Sequence, residues 1–126
     1  MNIVGIIFQI LISVVWANFI EYAIHRWFMH RPGAAHLQHH VHPEAWTLLL
    51  KWDIWALFAV HAAVIGLFLD RWVIVLTLVV YMASLEILHV AAHAYRWRHH
   101  MIHHGYEKRH FNICLPLFDL LLGTLR

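Results

Sequence analysis

Residues 72–104 read WVIVLTLVVYMASLEILHVAAHAYRWRHHMIHH, an apolar run that holds one charged residue, Glu86, and is followed by histidines. A helix rises about 1.5 Å per residue, so about 20 apolar residues cross the hydrocarbon core of a bilayer. The segment from Trp72 to about Tyr95 reaches that length. It therefore predicts a membrane-spanning helix that brings histidines to one surface of the membrane.

Two more apolar stretches precede this segment, Ile3–Ile24 and about Thr47–Leu69. Only Asp70 and Arg71 separate the second stretch from the third, which predicts a tight helical hairpin. The 126 residues are 62% hydrophobic and 13% charged, with a mean hydropathy of +0.62, too apolar for a soluble domain of this size. We expect one domain, residues 1–126, that is all-α and integral to the membrane, with three transmembrane helices.

Ten of the fourteen histidines fall into four clusters with related spacings. The clusters are His25-x4-His30, His36-x2-His39-His40, His89-x3-His93 and His100-x2-His103-His104. Side chains at i, i+3 and i+4 lie on one helix face, with Cβ atoms roughly 5–6 Å apart. Each cluster is therefore predicted to aim two or three ring nitrogens at a common point, and all ten histidines are predicted metal ligands.

The number of imidazoles indicates two metal ions, because one tetrahedral zinc uses four ligands. About five nitrogens per ion describe a near-octahedral site with an open position, which fits iron that binds dioxygen better than a closed structural zinc site. Zinc binds nitrogen sites more tightly than ferrous iron and is expected as a substitute in purified protein. The single cysteine, Cys114, excludes a Cys-x2-Cys zinc site.

Two acidic residues share helix faces with these histidines. Glu21 is four residues before His25, and Glu86 is three residues before His89. A carboxylate that accepts the outer N–H of a ligating imidazole fixes its tautomer and raises its basicity, and we predict this role for both acids. A direct bridging role for Glu86 remains open.

The four remaining histidines are predicted to lie outside the metal site. His42 and His110 fit polar positions at the membrane interface, and His61, in mid-span, fits a buried hydrogen-bonding role. The residues alone leave His99 open, because His99 and His103 also stand four apart.

All four clusters are predicted to lie on one membrane face. The first helix ends at His25, the second begins after His42, and the third returns to the same side with His89. Of the nine lysines and arginines, only Arg71 lies on the other face, so the positive-inside rule places the histidines in the cytoplasm. The apolar tail, residues 115–122, is too short to span and is expected to be a re-entrant or interfacial piece under the site.

The four clusters, in this order and with the first pair ending a membrane helix, resemble the histidine boxes of the fatty acid hydroxylase / sterol desaturase superfamily. The tail, with Phe111-Asn112, Leu115-Pro116-Leu117-Phe118-Asp119 and Gly123-Thr124, is similar to the Asn-Phe-Gly … Pro-x-Trp-Asp … Phe-Gly-Thr signature after the last box in that family. The resemblance covers about residues 25–124. It selects His100 rather than His99 as a ligand and makes Asn112 a candidate residue near the metals.

The resemblance implies a membrane-embedded non-haem di-iron oxygenase or desaturase that uses dioxygen on a lipid such as a fatty acyl chain, sterol or carotenoid. The chain has no GxGxxG fingerprint for a flavin or nicotinamide, so an external electron donor of the ferredoxin, rubredoxin or cytochrome type is expected. Nothing in the sequence predicts a nucleic-acid partner. Two alternatives stay open: a histidine-rich membrane protein that binds or transports metal, and a di-zinc scaffold without oxygenase activity.

Overall fold

The computed structural model describes residues 2–32, 34–42, 52–106 and 108–125, and all regular structure in these residues is helical. The helices in chain order are α1 (Ile3–Ala23), a π-helix that continues it (Ile24–Met29), α2 (Ala35–Val41), α3 (Trp52–Leu69), α4 (Trp72–Ala94), α5 (Arg98–Gly105) and α6 (Leu117–Leu121). The predicted all-α class is confirmed.

Two of these helical segments, Ile3–Met29 and Trp72–Ala94, are long and apolar enough to cross a membrane. Only 17% of the most apolar part of the first and 33% of that of the second are buried within the protein, whereas a core helix of a soluble protein is mostly buried. α3 is a third apolar helix, but its described apolar part, Phe58–Leu69, is shorter than the about 20 residues that a span needs. The predicted start of this span, residues 47–51, lies outside the described residues.

The predicted helical hairpin is present, since α3 and α4 pack together and are joined by Asp70 and Arg71. Asp70 has a φ of 50°, a left-handed conformation that aspartate tolerates better than most side chains. At the start of the chain, Asn2 accepts a hydrogen bond from the amide of Gly5 at 2.9 Å and caps α1. Local sequence therefore sets both the start of α1 and the turn before α4.

The centre of the fold is the contact between α1 and α4. Ala17 of α1 packs there against Leu78 and Tyr81 of α4, and all three are buried. The small side chain of Ala17 lets the two helices approach closely, as small residues do in membrane helix pairs. The tail also folds back onto α1, where the rings of Phe118 and Phe19 lie 5.2 Å apart. These contacts place the ends of α1 and α4 beside α2 and α5.

Candidate metal centre

The ten predicted ligands converge in the structure, and they form two groups of five. The first histidine group contains His25, His30, His36, His40 and His103, whose ligand atoms all lie within 4.8 Å of one another. The second histidine group contains His39, His93, His100 and His104, which meet the same limit, together with His89. His89 joins this group because its Nε2 lies 3.2 Å from the Nε2 of His39.

The sequence clusters are not the units of the site, because both His-x2-His-His motifs divide between the two groups. On α2, His36 and His40 belong to the first group and His39 to the second. On α5 the distribution is reversed, with His103 in the first group and His100 in the second. The prediction that each cluster aims at a single point is therefore wrong. Each of these short helices lies between the two groups and supplies both.

The π-helix brings the first two ligands together. His25 and His30 are five residues apart, a spacing that a regular α-helix places on different faces. Because a π-helix bonds residue i to residue i+5, it returns to the same face after about five residues. The ring centroids of His25 and His30 lie 5.2 Å apart, and both residues belong to the first group. The spacing rule used for the other clusters does not explain this pair.

The imidazoles approach one another through their Nε2 atoms. In the second group the Nε2 atoms form a chain with separations of 2.8–3.2 Å. The order of the chain is His89, His39, His93, His100 and His104. One Nε2 atom offers either one proton or one lone pair, so hydrogen bonds satisfy at most two of these four contacts. A shared cation would resolve the remaining contacts between nitrogens.

These separations fit an ion of the predicted kind. A metal that binds imidazole nitrogen at about 2.0–2.1 Å holds two such nitrogens about 2.9 Å apart when the bonds meet at a right angle. In the first group the Nε2 of His36 lies 2.9 Å from that of His25 and 3.1 Å from that of His40. Both groups therefore have the donor set and the spacing for one metal ion each.

Burial keeps several of the candidate ligands on α2 and α5 neutral. Loss of solvent, and then repulsion from neighbouring imidazoles, lowers the pKa of His39 and of His40 to about 4 and that of His104 to about 3. Burial likewise lowers the pKa of His103 to about 2. An imidazole must be neutral to bind a metal, so these side chains are in the ligand form at neutral pH.

Two ligands of the first group have their tautomers fixed by the backbone. Nδ1 of His25 lies 2.5 Å from the carbonyl oxygen of Phe111, and Nδ1 of His103 lies 2.6 Å from that of Arg109. A carbonyl oxygen only accepts, so each Nδ1 carries the proton and donates it. The Nε2 atom of each ring is left with a lone pair for a metal.

Two buried carboxylates hold the tail segment that provides these carbonyls. Asp119 accepts the amides of Phe111 at 2.9 Å and Asn112 at 2.7 Å. Glu21 accepts the next two amides, those of Ile113 and Cys114. Four consecutive N–H groups are thus bound by one acid from α1 and one from α6. We call residues 109–114 the tail strap.

The prediction that Glu21 accepts a proton from a ligating imidazole is wrong. Besides the two amides, its carboxylate accepts hydrogen bonds from Tyr81 at 2.5 Å and from Asn18 at 3.3 Å. Glu21 contacts the backbone that holds His25 instead of the ring itself. Glu86 is buried on α4, and its role toward the metals stays a prediction.

Asn112 attaches the tail strap to α1. Its side-chain amide donates to the carbonyl of Asn18 at 2.9 Å, and the side chain of Asn18 donates to the carbonyl of Leu115 at 2.7 Å. The carbonyl of Asn112 contacts Nε2 of His99 at 2.9 Å. The contacts of Asn112 thus attach the tail to α1. Asn112 is connected with the candidate metal site through the tail strap, whose neighbouring residue Phe111 binds His25.

The other four histidines lie outside both groups, as expected. Nδ1 of His99 faces Nδ1 of His110 at 2.9 Å, so α5 presents His100 and not His99 to the ligand groups. His42 and His61 are exposed. The predicted buried role of His61 is wrong, because its side chain lies on the outer surface of α3.

Sequence reasoning missed the residues that hold the strap. It did not connect Asp119, Asn18 or Tyr81 with the histidines. The signal was present in α1, where Asn18 and Glu21 stand one turn apart within an apolar span, since polar side chains at such positions are costly and usually have buried partners.

Comparison of the chain with protein-family models, with curated proteins and with solved structures gives no match. The geometry described above is therefore the basis for assigning a function.

Proposed function

We propose that this protein is a membrane-bound non-haem di-iron oxygenase that hydroxylates or desaturates an unactivated C–H bond of a lipid. The observation that carries the proposal is the convergence of ten imidazoles, through Nε2, into two groups of five at the end of two apolar helices. The two groups are in direct contact, because the rings of His40 and His104 stack with centroids 4.5 Å apart. Two adjacent ions with nitrogen ligands suit chemistry that neither ion performs alone.

Iron bound in these groups would activate dioxygen, which protein side chains cannot do. In hydroxylation one oxygen atom enters the C–H bond and the other leaves as water, with two electrons and two protons taken from an external donor. In desaturation the substrate loses two hydrogens, and with the same two electrons and two protons both oxygen atoms leave as water. A ferredoxin, rubredoxin or cytochrome would supply the electrons.

The chain's own contribution is a mostly apolar approach to the first group. A narrow crevice is lined by Met29, Phe58, Met82 and Leu85, and Glu21 and His25 lie in its wall. The crevice has room for about one water molecule, so an apolar chain that enters from the bilayer would have to widen it to bring its C–H bonds toward His25. The mostly apolar lining favours a lipid over a charged substrate, since a buried charge without a partner is costly.

The proposal includes three spans and a cytoplasmic metal site. α3 would be the second of the three spans. The exposed basic side chains around the histidines favour a cytoplasmic location for the metal site. These side chains include Arg26, Arg31, Arg96, Arg98, Lys108 and Arg109.

A metal carrier is the less favoured function. A carrier needs polar ligands along a path through the bilayer. In the outer half of α1, from Ile3 to Ile12, Gln9 is the one polar side chain. A di-zinc scaffold would use the same ligands as the oxygenase, so only a measurement of activity distinguishes the two functions.

Mass spectrometry of membrane lipids tests the proposal. Cells that express the protein should contain lipids with one added oxygen or two fewer hydrogens. Cells that express the His100→Ala/His104→Ala variant, which loses ligands of the second group, should lack them. An unchanged lipid profile with an active reductant present would contradict lipid oxygenase function.

A measurement on purified protein separates the oxygenase from the scaffold. Protein loaded with iron in both groups and chemically reduced should consume dioxygen, and zinc-loaded protein should not. If fully iron-loaded, reduced protein fails to reoxidise in air, the scaffold is the better description.

A further inference from the structure

The tail strap holds two rings of the first histidine group. Both imidazoles that donate to it, His25 and His103, belong to that group. The hydrogen bond made by the outer nitrogen of a ligating imidazole orients the ring, so the strap bears on the geometry of this group.

The strap is built so that its carbonyl directions are fixed. A trans peptide is planar, so an anchored N–H group determines where the C=O group of the same peptide points. The carbonyl of Phe111 shares its peptide with the amide of Asn112, which Asp119 binds at 2.7 Å. The carbonyl of Arg109 shares its peptide with the amide of His110, which the carbonyl of Thr124 binds at 3.0 Å.

Asp119 is the residue on which this arrangement converges. Its side chain is fully buried and accepts both strap amides and the hydroxyl of Thr124, the last at 2.6 Å. Its backbone carbonyl accepts the amides of Thr124 at 2.8 Å and of Leu125 at 3.1 Å, and the Leu125 amide shares its peptide with the carbonyl of Thr124 that binds His110. Asp119 therefore supports both imidazole-binding peptides, one through its carboxylate and one through its backbone carbonyl and its bond to the Thr124 hydroxyl.

We propose that Asp119 is a positioning residue for the first histidine group, which it pre-organises for a metal ion through the tail strap. Asp119 touches no ligand ring. It aims the carbonyls of Phe111 and Arg109, which hold His25 and His103 with Nε2 toward the ion. This inference rests on the two-metal part of the proposed function and is independent of the oxygenase chemistry.

Zn²⁺ titration of metal-free protein in nanodiscs, with a chromophoric chelator as competitor, tests the inference. The wild-type chain should bind two ions. Asp119→Ala should weaken the binding step of the first group by about 10–100-fold, the usual effect of removing support from a ligating histidine, and leave the step of the second group unchanged. Retention of the second group's step shows that the variant is folded.

Two further sets of variants make the result specific. Thr124→Val removes a single hydroxyl contact of Asp119 and leaves its bonds to the strap amides, so we expect a smaller effect on the step of the first group. His36→Ala/His40→Ala should abolish the step that Asp119→Ala weakens, and His100→Ala/His104→Ala the other one.

The outcomes separate this inference from the proposed function. If Asp119→Ala weakens both steps equally, weakens only the step of the second group, or changes neither, the inference is overturned. A wild-type chain that binds fewer than two ions would instead contradict the two-metal site itself.

Discussion

At the scale of single residues, the direction of each imidazole matters more than its neighbours in the chain. His39 and His40 are adjacent but serve different groups, whereas His40 and His103 are far apart in sequence and serve the same one. The close contacts within each group join Nε2 atoms, so it is this nitrogen that the fold presents to the metal. Variants should therefore be paired by group and not by motif.

Paired substitutions test this assignment. His36→Ala/His40→Ala should lower the metal content from about two ions per chain to about one, and His100→Ala/His104→Ala should do the same. His103→Ala/His104→Ala removes one ligand from each group, so both ions should be weakened. Metal analysis of the purified variants measures each effect.

The exposed histidines supply the control for these pairs. His42→Ala/His61→Ala removes the same number of imidazoles but none from either group, and we expect it to keep about two ions. A loss of metal in this control equal to that of the ligand pairs would show that the groups are wrongly assigned.

At the scale of elements, two irregular pieces make the site possible. The π-helix places His25 and His30 on the same face, and the tail strap fixes the orientation of the His25 and His103 rings. π-turns of this kind often occur at functional sites, where the extra residue changes the direction of a side chain. Both pieces adjoin α1, so the end of this helix carries much of the geometry of the first group.

A change of length in the π-helix tests its role. Deletion of the exposed Phe28 shortens the separation of His25 and His30 from five positions to four, which an α-helix places on one face. The ion of the first group should therefore be retained. Insertion of one alanine after Phe28 gives a spacing of six, which neither helix places on one face, and about one ion should be lost. Equal metal content in both variants would remove the π-helix from the explanation.

Loss of Glu21 should destabilise the junction between α1 and the tail. Glu21→Ala leaves the buried amides of Ile113 and Cys114 without an acceptor, and each unsatisfied group costs about 1–3 kcal/mol. We expect a lower Tm of the protein in detergent, measured by fluorescence. Gln9→Ala, a change of a polar residue in the same helix far from the strap, should have a smaller effect on the Tm.

At the scale of the whole molecule, the chain has its polar site at one end and apolar surfaces along its helices. Exposed apolar side chains cover the outer faces of α1 and α4, among them Phe8, Leu11 and Val80. A soluble protein does not expose such continuous apolar surface, whereas lipid covers it without cost. A bilayer would thus form the outer part of the packing, and the buried polar side chains gather where the helices meet.

The proposed topology is tested by reporters at two positions. A reporter fused after Arg126 should lie in the cytoplasm, because basic residues surround the histidine end. A reporter inserted between Asp70 and Arg71 should lie on the opposite side of the membrane. If both reporters lie on the same side of the membrane, the three-span arrangement is contradicted. If the reporter after Arg126 lies outside and the other in the cytoplasm, the cytoplasmic metal site is contradicted.

The sequence alone determined the helical class, the turn at Asp70 and the ten candidate ligands. These features are local, since apolar length, a two-residue break and side-chain chemistry can all be recognised within one segment. It also predicted that the clusters meet at one end, because helices of similar length return a chain to the same side.

Only the tertiary structure decided which ligands share an ion and what holds them. The division of His36 and His39 between two groups depends on where α2 lies relative to α4 and α5, which no spacing within α2 contains. The acceptors for His25 and His103 are backbone carbonyls, which every residue possesses and which therefore leave no mark in the sequence. Their directions follow from hydrogen bonds made by Asp119 after the tail has folded onto α1, so they exist only once the distant parts of the chain are in contact.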